Sequence, residues 1–439
     1  MNKSIAAPNT FGTLDKRLNS PPRLRVLLLI FIAAATVFSA LPLLHYFRGG
    51  HLFDYKLWYD TGQQVLAGQE IFVFRSGKYD FMYPLPCALF FGGASLLGQG
   101  GLIFLLVAIN SVAWFCSAKF SATLATGDRR VTNPWVYVVP SLLVIVYIWS
   151  TYHLGQPNLV LLALMLCAFV ALRAEREIIA GSLIAVAAAI KAFPVIAIIY
   201  LLYRRYWTAA ASLVVALILL LLILPAPFRG FERAWRDLEK WSAGMLKYSE
   251  AGVGQRPKRS YTWKNQSLVG VSNRLLRRVD ADAGSAPHQP VYVNFADLKF
   301  SAVNAIIIGI ALALGIAFIA VMPQRGMRMA ESDAIEFTLL LLLADAAICD
   351  RNATCARWKR LCHFVVGLAG ARLARSRLNL PTRRATLRQH ILCHALALYR
   401  ICFRAFALQE RKAPAAACWQ LRFGGLNSHD EEKLSYHQR

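Results

Sequence analysis

Of the 439 residues, 57% are hydrophobic and only 17% charged, whereas a soluble globular domain is about 45–50% apolar and about 25% charged. The apolar residues fall in long runs, such as 209–224 and 300–322, and the longest can cross roughly 30 Å of hydrocarbon as a helix; a water-soluble fold is excluded. The net charge of +25 does not point to nucleic acid, because many Lys and Arg before residue 344 sit in short clusters between apolar runs (Arg23/Arg25, Arg129/Arg130, Arg173/Arg176, Arg204/Arg205, Arg325/Arg328), the usual mark of cytoplasmic loops.

The chain opens with a polar cytoplasmic segment, 1–25, followed by about twenty mostly apolar residues from Val26, enough for a span. That run is too long for the core of a secretory signal and reads as an uncleaved first span. With Lys16, Arg17, Arg23 and Arg25 before it, it runs from the cytoplasm outward.

The outer loop that follows, about 47–100, contains the stretch 51–86 with Asp54, Asp60, Glu70 and Asp80 among nine aromatic residues. Acids beside the membrane in an aromatic-rich loop suit chemistry at a surface. Its last part, 83–98, is apolar but short and broken by Pro84, Pro86, Gly92 and Gly93, so an interfacial or re-entrant segment is expected. Residues 101–116 then cross inward to Arg129/Arg130.

Two outward hairpins come next. Residues 135–149 lead to the polar tip His153-Leu154-Gly155-Gln156-Pro157-Asn158, and 159–172 return to Arg173 and Arg176. Residues 178–190 lead to Lys191-Ala192-Phe193-Pro194, and 195–203 return to Arg204/Arg205. Arms of roughly 9–15 residues reach about 14–23 Å at 1.5 Å per residue, so the polar tips are expected at the floor of an outward cavity, where irregular backbone is tolerated. Residues 209–224 cross outward to a long polar outer segment, about 225–299. Residues 300–322 return inward, and 335–344 begin an outward span.

That last span is interrupted. Residues 345–439 carry 17 Lys and Arg against 6 Asp and Glu, +11 of the total, together with six of the nine cysteines. The abrupt change to an Arg-, Cys- and Ala-rich tail reads as translation in a wrong frame of GC-rich DNA, with a genuine cytoplasmic tail as the alternative. Three organisational units follow: the segment 1–25, a transmembrane domain 26–344, and the tail 345–439. The fold expected is all-α, a polytopic transmembrane helical bundle with re-entrant or interfacial helices in the first outer loop.

Ionisable residues at membrane depth are functional candidates by default. Lys191, after an unbroken apolar run and before Pro194, suits a phosphate or pyrophosphate bound as by a point charge; the plainer reading is a lysine snorkelling to an interface. Gln156 and Asn158 offer the amide groups that sugar hydroxyls require, or they satisfy backbone around Gly155 and Pro157. Asp54 lies about two helical turns past the first span and can deprotonate an acceptor hydroxyl, although spacing alone does not separate it from a solvated loop aspartate. Asp60 and Asp80 are weaker versions. Asn265-Gln266-Ser267 forms a sequon, as does Asn352-Ala353-Thr354, but the pattern is common. The cysteines form no CxxC pair, and Cys362-His363 and Cys393-His394 lack ligand spacing. No metal and no other cofactor is assigned.

Taken in order, Phe53-Asp54-Tyr55, Gly68, Tyr83-Pro84-Leu85-Pro86, Gly155-Gln156-Pro157-Asn158, Ala180-Gly181, Lys191-Ala192-Phe193-Pro194, Arg204-Arg205-Tyr206-Trp207 and Asn265-Gln266-Ser267 resemble glycosyltransferase family 87, over about residues 24–343. The resemblance implies a C-type helical bundle in a bacterial inner membrane, N-terminus in the cytoplasm and active site on the periplasmic side. It implies a polyprenyl-phosphate-linked sugar donor, most often mannose, and inverting transfer to a lipid or glycan acceptor. Asp54 then matches the catalytic base of the first outer loop. Lys191, Gln156 and Asn158 match donor- and phosphate-binding positions, with Tyr83, Asn265, Gln266 and Ser267 as further candidates. Two departures accompany the match. Tyr83-Pro84-Leu85-Pro86 stands where the family has YPP, and Asp345 to Asp350 stand where it has a Ser-Pro…Trp…His-Tyr motif and further spans. Two rival readings are a transporter or flippase for lipid-linked saccharides, which would line a path through the bilayer and often has repeated halves, and an inactive, truncated family member.

Overall fold

The computed structural model describes residues 21–75, 78–79, 81–127, 135–247, 261, 267–282, 290–321, 336–337 and 340. All belong to the first of two compact units, Met1–Ser376; the second, Arg377–Arg439, lies outside the described residues, as do Asp80, Asn265, Gln266 and the whole tail from 345.

Helices dominate: α1 (Pro21–Phe47), α2 (Asp54–Leu66), α3 (Leu85–Ser95), α4 (Gly98–Thr126), α5 (Trp135–Leu154), α6 (Asn158–Arg173), α7 (Glu177–Ile190), α8 (Ala197–Tyr203), α9 (Trp207–Ile218), α10 (Ala226–Arg229), α11 (Phe231–Lys247), α12 (Leu268–Leu276) and α13 (Phe300–Val321). A two-residue antiparallel ribbon, β1 (Phe74–Arg75) with β2 (Lys78–Tyr79), is a small addition to the all-α expectation. Among the described residues five helices are long and apolar enough to cross a membrane: Arg25–Phe47, Gly98–Thr126, Val136–Leu154, Trp207–Arg229 and Phe300–Ala320. The chain is an all-α, multi-pass membrane protein.

Apolar side chains such as Leu29, Ile30, Phe104, Leu142, Val215 and Leu312 stand exposed on these helices. That is what lipid-facing surface requires. Some contacts between helices use small and polar groups, as is common where lipid removes the hydrophobic drive to associate. One close approach is α7 on α9, where a Cβ on Gly181 would lie 2.2 Å from the Ala209 carbonyl oxygen, so only glycine fits. Ala180, Ala185 and Ala209 are fully buried beside it. Ser111 joins three helices, meeting Ser39 of α1 at 3.5 Å and the Tyr152 hydroxyl of α5 at 2.8 Å.

One core lies among α1 to α5, with Tyr55, Trp58, Phe81, Trp114 and Tyr152. A second lies among α6 to α9, with Phe169, Ile184, Leu201 and Leu213. Phe337 stacks on Phe169 with centroids 4.1 Å apart. Its neighbour Glu336 takes bonds from Arg204 and Tyr200.

The short segment expected at 83–98 is α3, eleven residues, packed inside rather than spanning. The first hairpin differs from its short-armed expectation. The helix runs on through Ser150, Thr151 and His153, and Thr151 turns its hydroxyl back to the Tyr147 carbonyl at 2.9 Å, where a threonine inside a helix can place it. The second hairpin is short, with α7 of 14 residues and a 3-10 turn, Phe193–Ile196, leading into the seven-residue α8. Helices α10, α11 and α12 occupy the segment read as polar loop.

Candidate active site

Asp54 is the first residue of α2, where a carboxylate sits well against the positive end of the helix dipole. The turn into it is strained: Phe53 has φ 47° and ψ −127°, a conformation L residues rarely adopt. Two rings hold it there. His51 lies parallel to the Phe53 ring at 4.5 Å and accepts the Phe53 N–H on Nδ1 at 3.1 Å. His153 packs against the same ring at 4.6 Å and is itself stacked on Trp149. Strain of this kind persists only where the surroundings over-determine it.

The tip between α5 and α6 clasps α2. Tyr55 donates its hydroxyl to the Tyr152 carbonyl at 2.7 Å, and Trp58 donates its indole N–H to the Gly155 carbonyl at 2.7 Å. Both side chains are buried, and burial pushes the Tyr55 hydroxyl well above its ordinary value, keeping it a neutral donor. Trp58 also stacks on Phe91 of α3 at 4.7 Å. Gly155 has φ +73°, and a Cβ there would stand 2.8–2.9 Å from the Tyr55 ring. The sequence Tyr152 to Gln156 is thus a mould for residues 53 to 58.

Four of the sequence-predicted residues form one hydrogen-bonded row. Gln156 Nε2 donates to Asp54 Oδ2 at 3.1 Å. Asn158 Nδ2 donates to Gln156 Oε1 at 3.0 Å, and Lys191 Nζ donates to Asn158 Oδ1 at 3.3 Å. The ends fix the amide orientations: an NH₂ must face the carboxylate and a carbonyl must face the ammonium. Acid and base ends are therefore linked through two amides rather than paired directly. Asn158 begins α6, and Lys191 closes α7 in extended conformation, just before the turn that carries Pro194.

Among the described residues the second oxygen of Asp54 accepts no hydrogen bond, and Lys191 has donors beyond the one given to Asn158. Lys191 also lies 5.9 Å from the centroid of the Tyr83 ring, at the edge of cation–π range. A half-buried proton acceptor at one end and an ammonium at the other can serve an acceptor hydroxyl and an anionic leaving group respectively.

The remaining candidates go elsewhere. Ser267 is buried and caps α12, accepting the Gly270 N–H at 3.1 Å, a structural role. Asp60 pairs with Lys56 at 2.8 Å and Glu70 with Lys240, so of the described acids in this loop Asp54 alone joins the row. Asn265, Gln266 and Asp80 lie outside the described residues. Among the described residues no three His, Cys, Asp or Glu side chains gather as a metal site. Tyr55, Trp58 and His153 were given no individual role by the sequence, where Tyr55 enters only in the motif Phe53-Asp54-Tyr55, Trp58 only as one aromatic of the loop and His153 only as the start of the polar tip, since aromatics in an apolar chain give little signal beyond packing.

A model of glycosyltransferase family 87 matches residues 81–349, more than half of the chain. The match contains Tyr83, Gln156, Asn158 and Lys191; Asp54 precedes it. Neither the curated proteins nor the solved structures searched contain a match. On the family match the chain belongs to glycosyltransferase family 87, and it is a membrane glycosyltransferase.

Proposed function

We propose that the chain moves a sugar, mannose first among candidates, from a polyprenyl-phosphate donor to a lipid or glycan acceptor on the periplasmic face of a bacterial inner membrane. The observation that carries this reading is the row from Asp54 through Gln156 and Asn158 to Lys191. Asp54 takes the proton of the acceptor hydroxyl as its oxygen bonds to the anomeric carbon. The bond from that carbon to the phosphate oxygen breaks on the opposite side, inverting the centre, and polyprenyl phosphate leaves with the electron pair. Lys191 holds that phosphate as its negative charge grows, and Tyr83 packs beside the ammonium. Gln156 and Asn158 fix the distance between the two ends and offer hydrogen bonds to the sugar.

A lipid-borne donor agrees with a site among apolar helices, since its prenyl chain can stay in the bilayer while its phosphate reaches Lys191. The donor class is tested with membranes containing the chain, incubated in parallel with radiolabelled polyprenyl-phosphate mannose and radiolabelled nucleotide mannose. Label is expected in product from the first and, once polyprenyl-phosphate mannose synthesis is blocked, not from the second. Direct use of the nucleotide sugar under that block would overturn the donor assignment.

A further inference from the structure

Helix α11 follows the span Trp207–Arg229 after a single turn at Gly230, which has φ +76°. Its surface divides into three. One side meets protein: Ala234 is fully buried, Asp237 is buried against Arg229 at 2.7 Å, and Trp241 donates its indole N–H to the Met82 carbonyl at 3.0 Å. A polar side carries Glu232, Arg236, Glu239 and Lys240, all exposed. At about 100° per residue, Phe231 and Trp235 fall together between these sides. They are 60% and 52% exposed, and Phe228, on the preceding turn, is 72% exposed.

These aromatics come directly after the span in the chain, and there Leu219, Ile223 and Leu224 are exposed as well. A helix that directly follows a lipid-facing span and carries aromatic rings on one flank and charges on the next has the pattern of one lying in a membrane–water interface. We propose that α11 lies in that interface at the Asp54 end of the bundle, with Phe231 and Trp235 set among the lipid headgroups and upper acyl chains.

The same helix, with Arg229 at the end of α10, grips the loop that follows α2. Arg229 donates to the Gln69 carbonyl at 3.0 Å, Arg233 to the Gly68 carbonyl, and Lys240 pairs with Glu70. With Trp241 on Met82, these bonds fix both ends of the stretch 68–82, between Asp54 and Tyr83. The bilayer surface thereby sets the position of Gly68, Gln69, Glu70 and Met82, independently of which sugar is transferred.

The test places a photoreactive benzoyl-phenylalanine at single positions of the full chain in vesicles of radiolabelled phospholipid. Positions 231 and 235 are expected to label lipid several-fold more than 236 and 239, and close to position 219 in the span. Equal labelling at all four helix positions, or labelling at 219 but not at 231 and 235, would overturn the proposal. Should a substituted chain fail to fold, quenching by bromolipids is compared between wild type and Trp235→Phe. A quenchable component lost in that variant supports the proposal, and an unchanged quenched fraction overturns it. Neither readout depends on sugar transfer, so a wrong donor assignment leaves both interpretable.

Discussion

Replacing Gly155 by alanine tests the mould that holds Asp54. Gly155 lies in the left-handed region at φ +73°, where an L residue costs about 1–2 kcal/mol. The added Cβ would stand 2.8 Å from Cδ2 of Tyr55, whereas carbon atoms rest at about 3.5–4.0 Å, so roughly 0.7 Å must be found. Tyr55 cannot swing away, because its hydroxyl is fixed to the Tyr152 carbonyl at 2.7 Å and its ring is buried. Helix α2 must shift, at an overpacking cost of about 1–3 kcal/mol, giving about 2–5 kcal/mol in all. The Gln156–Asp54 bond, already 3.1 Å, lies near the upper end of the usual range of about 2.7–3.2 Å and would be lost by such a shift. Gly68→Ala is the control: φ is +63° with nothing within 4 Å of the added carbon, so it carries the backbone term alone. Thermal unfolding in detergent, with transfer activity alongside, should show Gly155→Ala clearly less stable than Gly68→Ala and far less active. Equal losses in the two variants would refute the contact with Tyr55 as the cause.

Gln156→Leu removes the centre of the row and leaves Asp54 and Asn158 without their amide partner. A hydrogen bond to a charged group is worth about 1.5–3 kcal/mol; a moderate fall in melting temperature and a larger fall in kcat are expected, and unchanged kcat would argue that the row is only structural. Alkaline stability should depend on Tyr55: its folded-state pKa is raised by burial, so its contribution is complete below the unfolded value of about 10 and is lost as pH rises above it. Unfolding followed by pH should therefore show a shallower alkaline loss in Tyr55→Phe than in wild type.

Much of the row was legible in sequence because amides, a carboxylate and a lysine stand out against apolar surroundings, and the apolar runs and basic clusters gave the order of the helices. Their linkage was not legible, since nothing in local pattern says that Gln156 faces Asp54, 102 residues away. The clasp was hidden for the opposite reason: Tyr55 and Trp58 look like ordinary membrane aromatics until their polar atoms find the backbone carbonyls of Tyr152 and Gly155. The strained Phe53 has no sequence signature, being a non-glycine at positive φ. Ser267 belongs to a common motif, and the structure shows its hydroxyl capping a helix, which the motif itself does not announce. Within 225–298, charge content suggested loop, but charges confined to part of the surface of α11 are compatible with an amphipathic helix.

The central claim is that Asp54 is the base for sugar transfer, and Asp54→Asn tests it most directly. Asparagine keeps the size of the side chain and a carbonyl to accept from Gln156, but it cannot take a proton. With radiolabelled polyprenyl-phosphate mannose and membranes containing equal amounts of folded protein, transfer should fall by about 10²–10⁴-fold while donor binding persists. Transfer at the wild-type rate by Asp54→Asn would contradict the claim and move the base to another residue.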